Sequence, residues 1–192
     1  MSKQPLKFEK IKEKYGAYPK PMMVNLEVAK TIPFKTQTRR LDTKWKVGDV
    51  LWVREPAKVD ICFTEEFYFR YLSDDDEYKL FTMPIPNRLI KDGFVVDWMV
   101  HCNGIPNGCI KEMARTFLRV VEVRDEFLQD ITYKDCVNEG LIKYEEDNHN
   151  CIVPYGTLIE RWKTLWNSTA PKGKKWEDNP KVKVITFEKV EL

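Results

Sequence analysis

Apolar residues recur in short alternating runs separated by polar loops, and this pattern predicts several small strands with two or three helices. Asp49–Glu55 (DVLWVRE) reads as a strand opened by a turn at Gly48, Phe94–Val100 as another, and Arg115–Arg124 as a long β-branched strand. Val182–Val190 closes the chain as a strand, with Val182 and Val184 facing one way and Ile185 and Phe187 the other. Met22, Met23, Leu26 and Ala29 or Lys30 fall at helical spacing and predict a short helix ending before Pro33. Thr132–Asp135 has the form of a capping box, opening a helix that stops at Gly140. Thr157–Glu160 offers a second start, with Leu158, Trp162, Leu165 and Trp166 as the apolar face behind it. No strand–helix–strand rhythm runs through these elements. The expectation is an α+β fold built on a small mixed β-barrel with flanking helices, not a doubly wound sheet.

Residues 1–20 are rich in lysine and broken by Pro5, Gly16 and Pro19, so they read as a loosely attached arm. Residues 21–192 then form a single domain, carrying an acidic and aromatic insertion at about 56–107. A chain of 192 residues lies in the range of one domain and can bury a core without disulfides or a structural metal. The opening MSKQPLKFEKIKEK lacks the apolar stretch of a secretory signal, and no apolar run approaches a membrane span. Five irregularly spaced cysteines fit reduced thiols, so a cytoplasmic location without membrane partners is expected.

The formal net charge is only +2, from 32 basic and 30 acidic residues, which excludes a wholesale polycation. Local segregation remains possible on that balance. Acidic residues gather around 65–77 and 145–147, and basic ones at Lys35–Arg40 and Lys172–Lys175. The segment Phe34–Arg40 (FKTQTRR) is the most distinctive of these, joining three cations to three hydrogen-bonding side chains around one apolar residue. Arginine forks and threonine hydroxyls of this kind capture phosphate or carboxylate, although a solvated charged loop has the same composition. His101, Cys102 and Cys109, or His149 and Cys151, are the thiols and imidazoles that lie near one another, but they lack the tight spacing of a structural zinc site. No metal and no cofactor are expected.

The blocks KTQTRR at 35–40 and KVGDVLWVRE at 46–55 resemble the opening signature of the ASCH family, a PUA-like β-barrel family found in phages and bacteria. The resemblance continues through LRVVEVRDEFLQDIT at 118–132 and DCVNEGL at 135–141, and ends in ERWKTLWN at 160–167 and WEDNPKVKVITF at 176–187. The blocks keep the family's order. Two departures stand out: Pro33 and Phe34 replace a Gly-Arg pair, and Cys109–Lys111 replaces a His-Met-Pro-Arg run. The resemblance implies a cleft that binds RNA or a modified nucleoside. In members that deacylate N4-acetylcytidine, a lysine, a threonine and a glutamate carry the chemistry, and these roles would fall on Lys35, Thr38 and Glu139.

The residues are compatible with such an amidohydrolase. A threonine hydroxyl needs a base to take its proton, and a desolvated lysine serves if its pKa falls. A glutamate in the last turn of a helix is pushed upward by the dipole, which suits a proton shuttle. Three readings stand open. The first is a binding module for RNA or a modified nucleoside, with Lys35, Arg39, Arg40, Arg54, Lys111 and Arg115 lining a basic cleft and Trp52 and Trp176 as stacking platforms. The second is a hydrolase in that cleft, either an N4-acylcytidine amidohydrolase or a ribonuclease. The third is a phage-type inhibitor that binds a host protein through the acidic, aromatic insertion.

Overall fold

The computed structural model describes residues 4–24, 26–33, 35–62, 66–74, 79–91, 94–95, 110–141 and 155–192. The chain is α+β and forms two compact units. Unit 1 comprises residues 1–30, 49–118 and 189–192; unit 2 comprises 31–48 and 119–188.

In unit 1 the lysine-rich N-terminus is not a loose arm. Helix α1 (Gln4–Tyr15) places Phe8, Ile11 and Tyr15 on one face, and Ile11 is fully buried. Lys12 and Lys14 occupy its last turn, where cations suit the dipole, and Gly16 at φ 78° ends it. The apolar spacing was present in the sequence but diluted by charges. Strand β1 (Lys20–Met23) follows, and helix α2 (Leu26–Thr31) is shorter than the helix expected from Met22 onward. The reason is tertiary: β1 pairs in parallel with β3 (Val50–Arg54), Met22 opposite Val53, and strand alternation buries Met22 while Met23 stays exposed.

The described residues of the expected insertion belong to unit 1 and form strands. Strands β4 (Ala57–Cys62), β5 (Glu66–Tyr71) and β6 (Phe81–Pro84) form an antiparallel sheet in that order, and β7 (Ile90–Lys91) pairs with β8 (Phe94–Val95). Alternate residues of β5, namely Phe67, Phe69 and Tyr71, point into the core, with ring centroids 5.5 and 5.4 Å apart. Phe81 stacks on Phe69 at 5.6 Å. Each ring buried this fully contributes about 2 kcal/mol. The rest of the strand expected over 94–100 and the turn at 103–108 lie outside the described residues.

Strand β9 (Phe117–Phe127) runs from unit 1 into unit 2. In unit 2, β2 (Gln37–Arg40) pairs antiparallel with β10 (Lys181–Lys189), Arg39 opposite Val184 and Thr38 opposite Ile185. Helix α3 (Tyr133–Asn138) is opened by the Thr132–Asp135 capping box and stopped by Gly140 at φ 81°. Helix α4 (Tyr155–Thr169) begins two residues before the Thr157 start read from the sequence. Leu158, Trp162 and Trp166 pack it against Leu128, Ile131 and Val184. Within unit 1 β1 pairs with β3, and within unit 2 β2 pairs with β10; no closed barrel forms in either unit among the described residues.

Because α1 is anchored rather than loose, Ile11→Ala should lower stability by about 2–5 kcal/mol in urea titrations. An unchanged midpoint would return residues 1–20 to the status of an arm.

Candidate functional site

Unit 2 contains a buried set of charges. Gln37 and Arg39 alternate on β2, so both face the same side, the side on which Val184 meets α3 and α4. Lys35, just before the strand, donates to the Glu139 carboxylate at 2.6 Å and to its backbone carbonyl at 2.8 Å. The Arg39 guanidinium reaches Glu126 at 3.0 Å, Asp135 at 3.2 Å and Glu139 at 3.3 Å. Gln37 donates to the other Asp135 oxygen at 2.9 Å. Lys35, Arg39 and Glu139 are 5%, 3% and 3% exposed, so these charges answer one another and not the solvent.

Burial pushes the Lys35 ammonium below its usual pKa, against the Glu139 carboxylate, which pulls it up. Burial acts upward on Asp135, but hydrogen bonds from Thr132 and Gln37 and the charge of Arg39 win, and hold its carboxyl at about 2. Burial also pushes the Cys136 thiol up to about 11. Arg40 is half-buried opposite Lys183, and burial lowers its pKa despite the pull of Glu139.

Of the three residues with an implied catalytic role, Lys35 and Glu139 are in direct contact and Thr38 is not part of the set. Thr38 lies opposite Ile185, on the other face of β2 from Gln37 and Arg39, and is itself buried. Arg39, expected to contact phosphate, is enclosed by carboxylates instead. Trp176 is half-buried and packs on the core of α4, with its backbone N–H donating to Asn167 at 2.8 Å. Sequence reading missed Gln37, Glu126 and Asp135 as partners; the alternation of β2 was the signal that grouped Gln37 with Arg39.

In unit 1 the remaining residues fall in two places. Arg115 forks onto Glu55 at 2.7 Å, meets Asp74, and covers the Tyr71 ring at 3.8 Å. Burial works to lower its pKa, but those carboxylates raise it, and its charge is neutralised on the spot. Trp52 and Lys111, by contrast, line a pocket of about 400 Å³ together with Phe8 on α1. The Phe8 and Trp52 rings meet edge to face at 6.1 Å, and Arg54 sits 5.7 Å from the Trp52 ring. The rim adds Glu9, Tyr18 and Glu112. Phe8, Glu9 and Tyr18 were missed because residues 1–20 read as an arm.

Among the described residues no group of His, Cys, Asp and Glu could hold a metal ion; His101, Cys102, Cys109, His149 and Cys151 lie outside them. No described helix is long and apolar enough to cross a membrane. Compared with models of protein families, with curated proteins and with solved structures, the chain matches none.

Removing one partner of a buried pair strands the other, so Lys35→Ala should cost about 3–5 kcal/mol in chemical denaturation. A loss below about 1 kcal/mol would show that Glu139 is solvated. The depressed Asp135 carboxyl contributes stability that is present above pH ~4 and is lost as pH falls through ~2. After discounting for solvent screening this amounts to about 1 kcal/mol. The stability gap between wild type and Asp135→Asn should therefore narrow between pH 4 and pH 2; a gap that stays constant there would contradict the ionised carboxylate.

Proposed function

We propose that the chain is an ASCH-like, PUA-type module that binds RNA or a modified nucleoside, and that the Trp52 pocket is where a base enters. The observation that carries this reading is the pairing of an aromatic wall, Phe8 and Trp52, with Lys111 at one pocket. Every base has a π-face, and a flat ring beside Trp52 gains about 1–3 kcal/mol from stacking. Among the described residues the Lys111 ammonium has no carboxylate partner, so it remains available to a phosphate, and Arg54 adds charge beside the same indole. The order of the family-like blocks, from KTQTRR to VKVITF, supports the same module type.

Lys111→Ala should weaken binding of a short single-stranded RNA and reduce its log–log salt slope by about one. Trp52→Phe, which keeps an aromatic ring in the core, should weaken it further by reducing the stacking surface. Affinity indifferent to both changes would remove the pocket from function.

A second reading is favoured by one observation, the desolvated Lys35 in contact with Glu139. A lysine with a depressed pKa beside a carboxylate is a proton-transfer pair, and the chemistry that fits the family is deacylation of N4-acetylcytidine. The pair is enclosed, so turnover requires that unit 2 open to admit substrate. Release of acetate from N4-acetylcytidine, lost in Glu139→Gln, is the expected outcome on this reading; absence of turnover in the wild-type chain leaves Lys35 and Glu139 as a structural pair.

A further inference from the structure

Resting on the binding reading above, we infer that the unit 1 pocket selects guanine, as a guanosine nucleotide, with Glu9 reading the base and Lys111 holding the phosphate. An aromatic pocket with carboxylates at its rim suits two ligand classes, a quaternary or methylated ammonium held by ring faces, or a base that donates hydrogen bonds. The cations already present decide between them. Lys12 lies over the Tyr18 ring at 4.5 Å and Arg54 over the Trp52 ring at 5.7 Å, and Lys111 lines the pocket as a third positive charge. A cationic ligand would meet like charge at both rings. A planar base with an anionic tail meets none of that repulsion.

The two rim carboxylates are not equivalent. Glu112 is engaged by the Arg88 fork through both oxygens, at 3.2 and 2.6 Å. Glu9 accepts only one hydrogen bond among the described residues, from the Tyr18 hydroxyl to its Oε1 at 2.8 Å, while Lys12 donates to that hydroxyl at 3.3 Å. The chain Lys12, Tyr18, Glu9 therefore orients the Glu9 carboxylate and leaves its acceptor capacity open.

A carboxylate offers two parallel acceptors and no donor. Guanine presents two adjacent donors, N1–H and the N2 amine, on its Watson–Crick edge. Adenine and cytosine each place a ring acceptor beside their single amine, and uracil flanks its single N–H with two carbonyls. Either arrangement sets a lone pair against a carboxylate oxygen. Only guanine satisfies both Glu9 oxygens at once, and a pocket of about 400 Å³ is of a size to take a nucleotide.

Isothermal titration of the full chain with the 5′-monophosphates of guanosine, adenosine, cytidine and uridine, and with guanosine itself, tests this. The guanosine nucleotide should bind about tenfold or more tightly than the other three. Glu9→Gln, which replaces one acceptor by a donor but keeps a partner for Tyr18, should abolish that preference without weakening the adenosine nucleotide. Lys111→Ala should weaken the nucleotide and leave guanosine unaffected. Equal affinity for all four nucleotides, untouched by Glu9→Gln, overturns the guanine assignment while the nucleotide pocket survives. No binding of any of them overturns the assignment and the pocket reading together.

Discussion

A lysine and an arginine carried into a protein interior must be met there by carboxylates, because each unanswered charge forfeits several kcal/mol of hydration. In unit 2 that requirement fixes how β2 lies against α3. Lys35 and Arg39 find Glu139, Asp135 and Glu126 only if odd-numbered residues face the helix. A slip of one residue would turn Lys35, Gln37 and Arg39 to the opposite face and bring Thr36, Thr38 and Arg40 to the helix, one cation in place of two. The apolar contacts of Leu158, Trp162 and Val184 then pack around a register already specified by charge. The same arrangement keeps Asp135 ionised and serves as the reciprocal cap of its own helix.

Unit 1 meets the same demand differently. Arg115 is answered by Glu55 and Asp74 and by the Tyr71 ring, and its neutralisation leaves Lys111 as a cation facing open space nearby in the sequence. The distinction is between cations that hold the fold and cations that can meet a ligand. A basic motif does not say which it is. KTQTRR, the segment whose composition best suits phosphate, turns its first arginine, Arg39, inward, while an isolated lysine at 111 lines the pocket.

Much of the architecture was legible because it rests on local patterns. Alternation marked β3, β9 and β10, and the Thr132–Asp135 box with Gly140 marked α3 to within a residue. What was not legible depended on partners distant in sequence. Met22 has helical spacing but belongs to a strand because β3 supplies the hydrogen bonds. Phe8, Ile11 and Tyr15 are correctly spaced for a helix, yet among six lysines of an N-terminal segment nothing local says that a hydrophobic surface awaits them. The candidate site divides in the same way. Lys35 and Glu139 were named from a resemblance, but the alternation that separates Thr38 from them needed the pairing with β10 to become visible.

The core of unit 1 joins both extremes of the chain. Ile11 and Val190 belong to one cluster, and the Val190 N–H bonds the Phe117 carbonyl at 2.9 Å. The apolar face of α1 must therefore wait for Phe117, and then for Val190, before its cluster is complete. Unit 2, formed from residues 31–48 and 119–188, has its parts in hand slightly sooner. Completion of unit 1 is therefore governed by long loop closures, whose entropic cost slows folding.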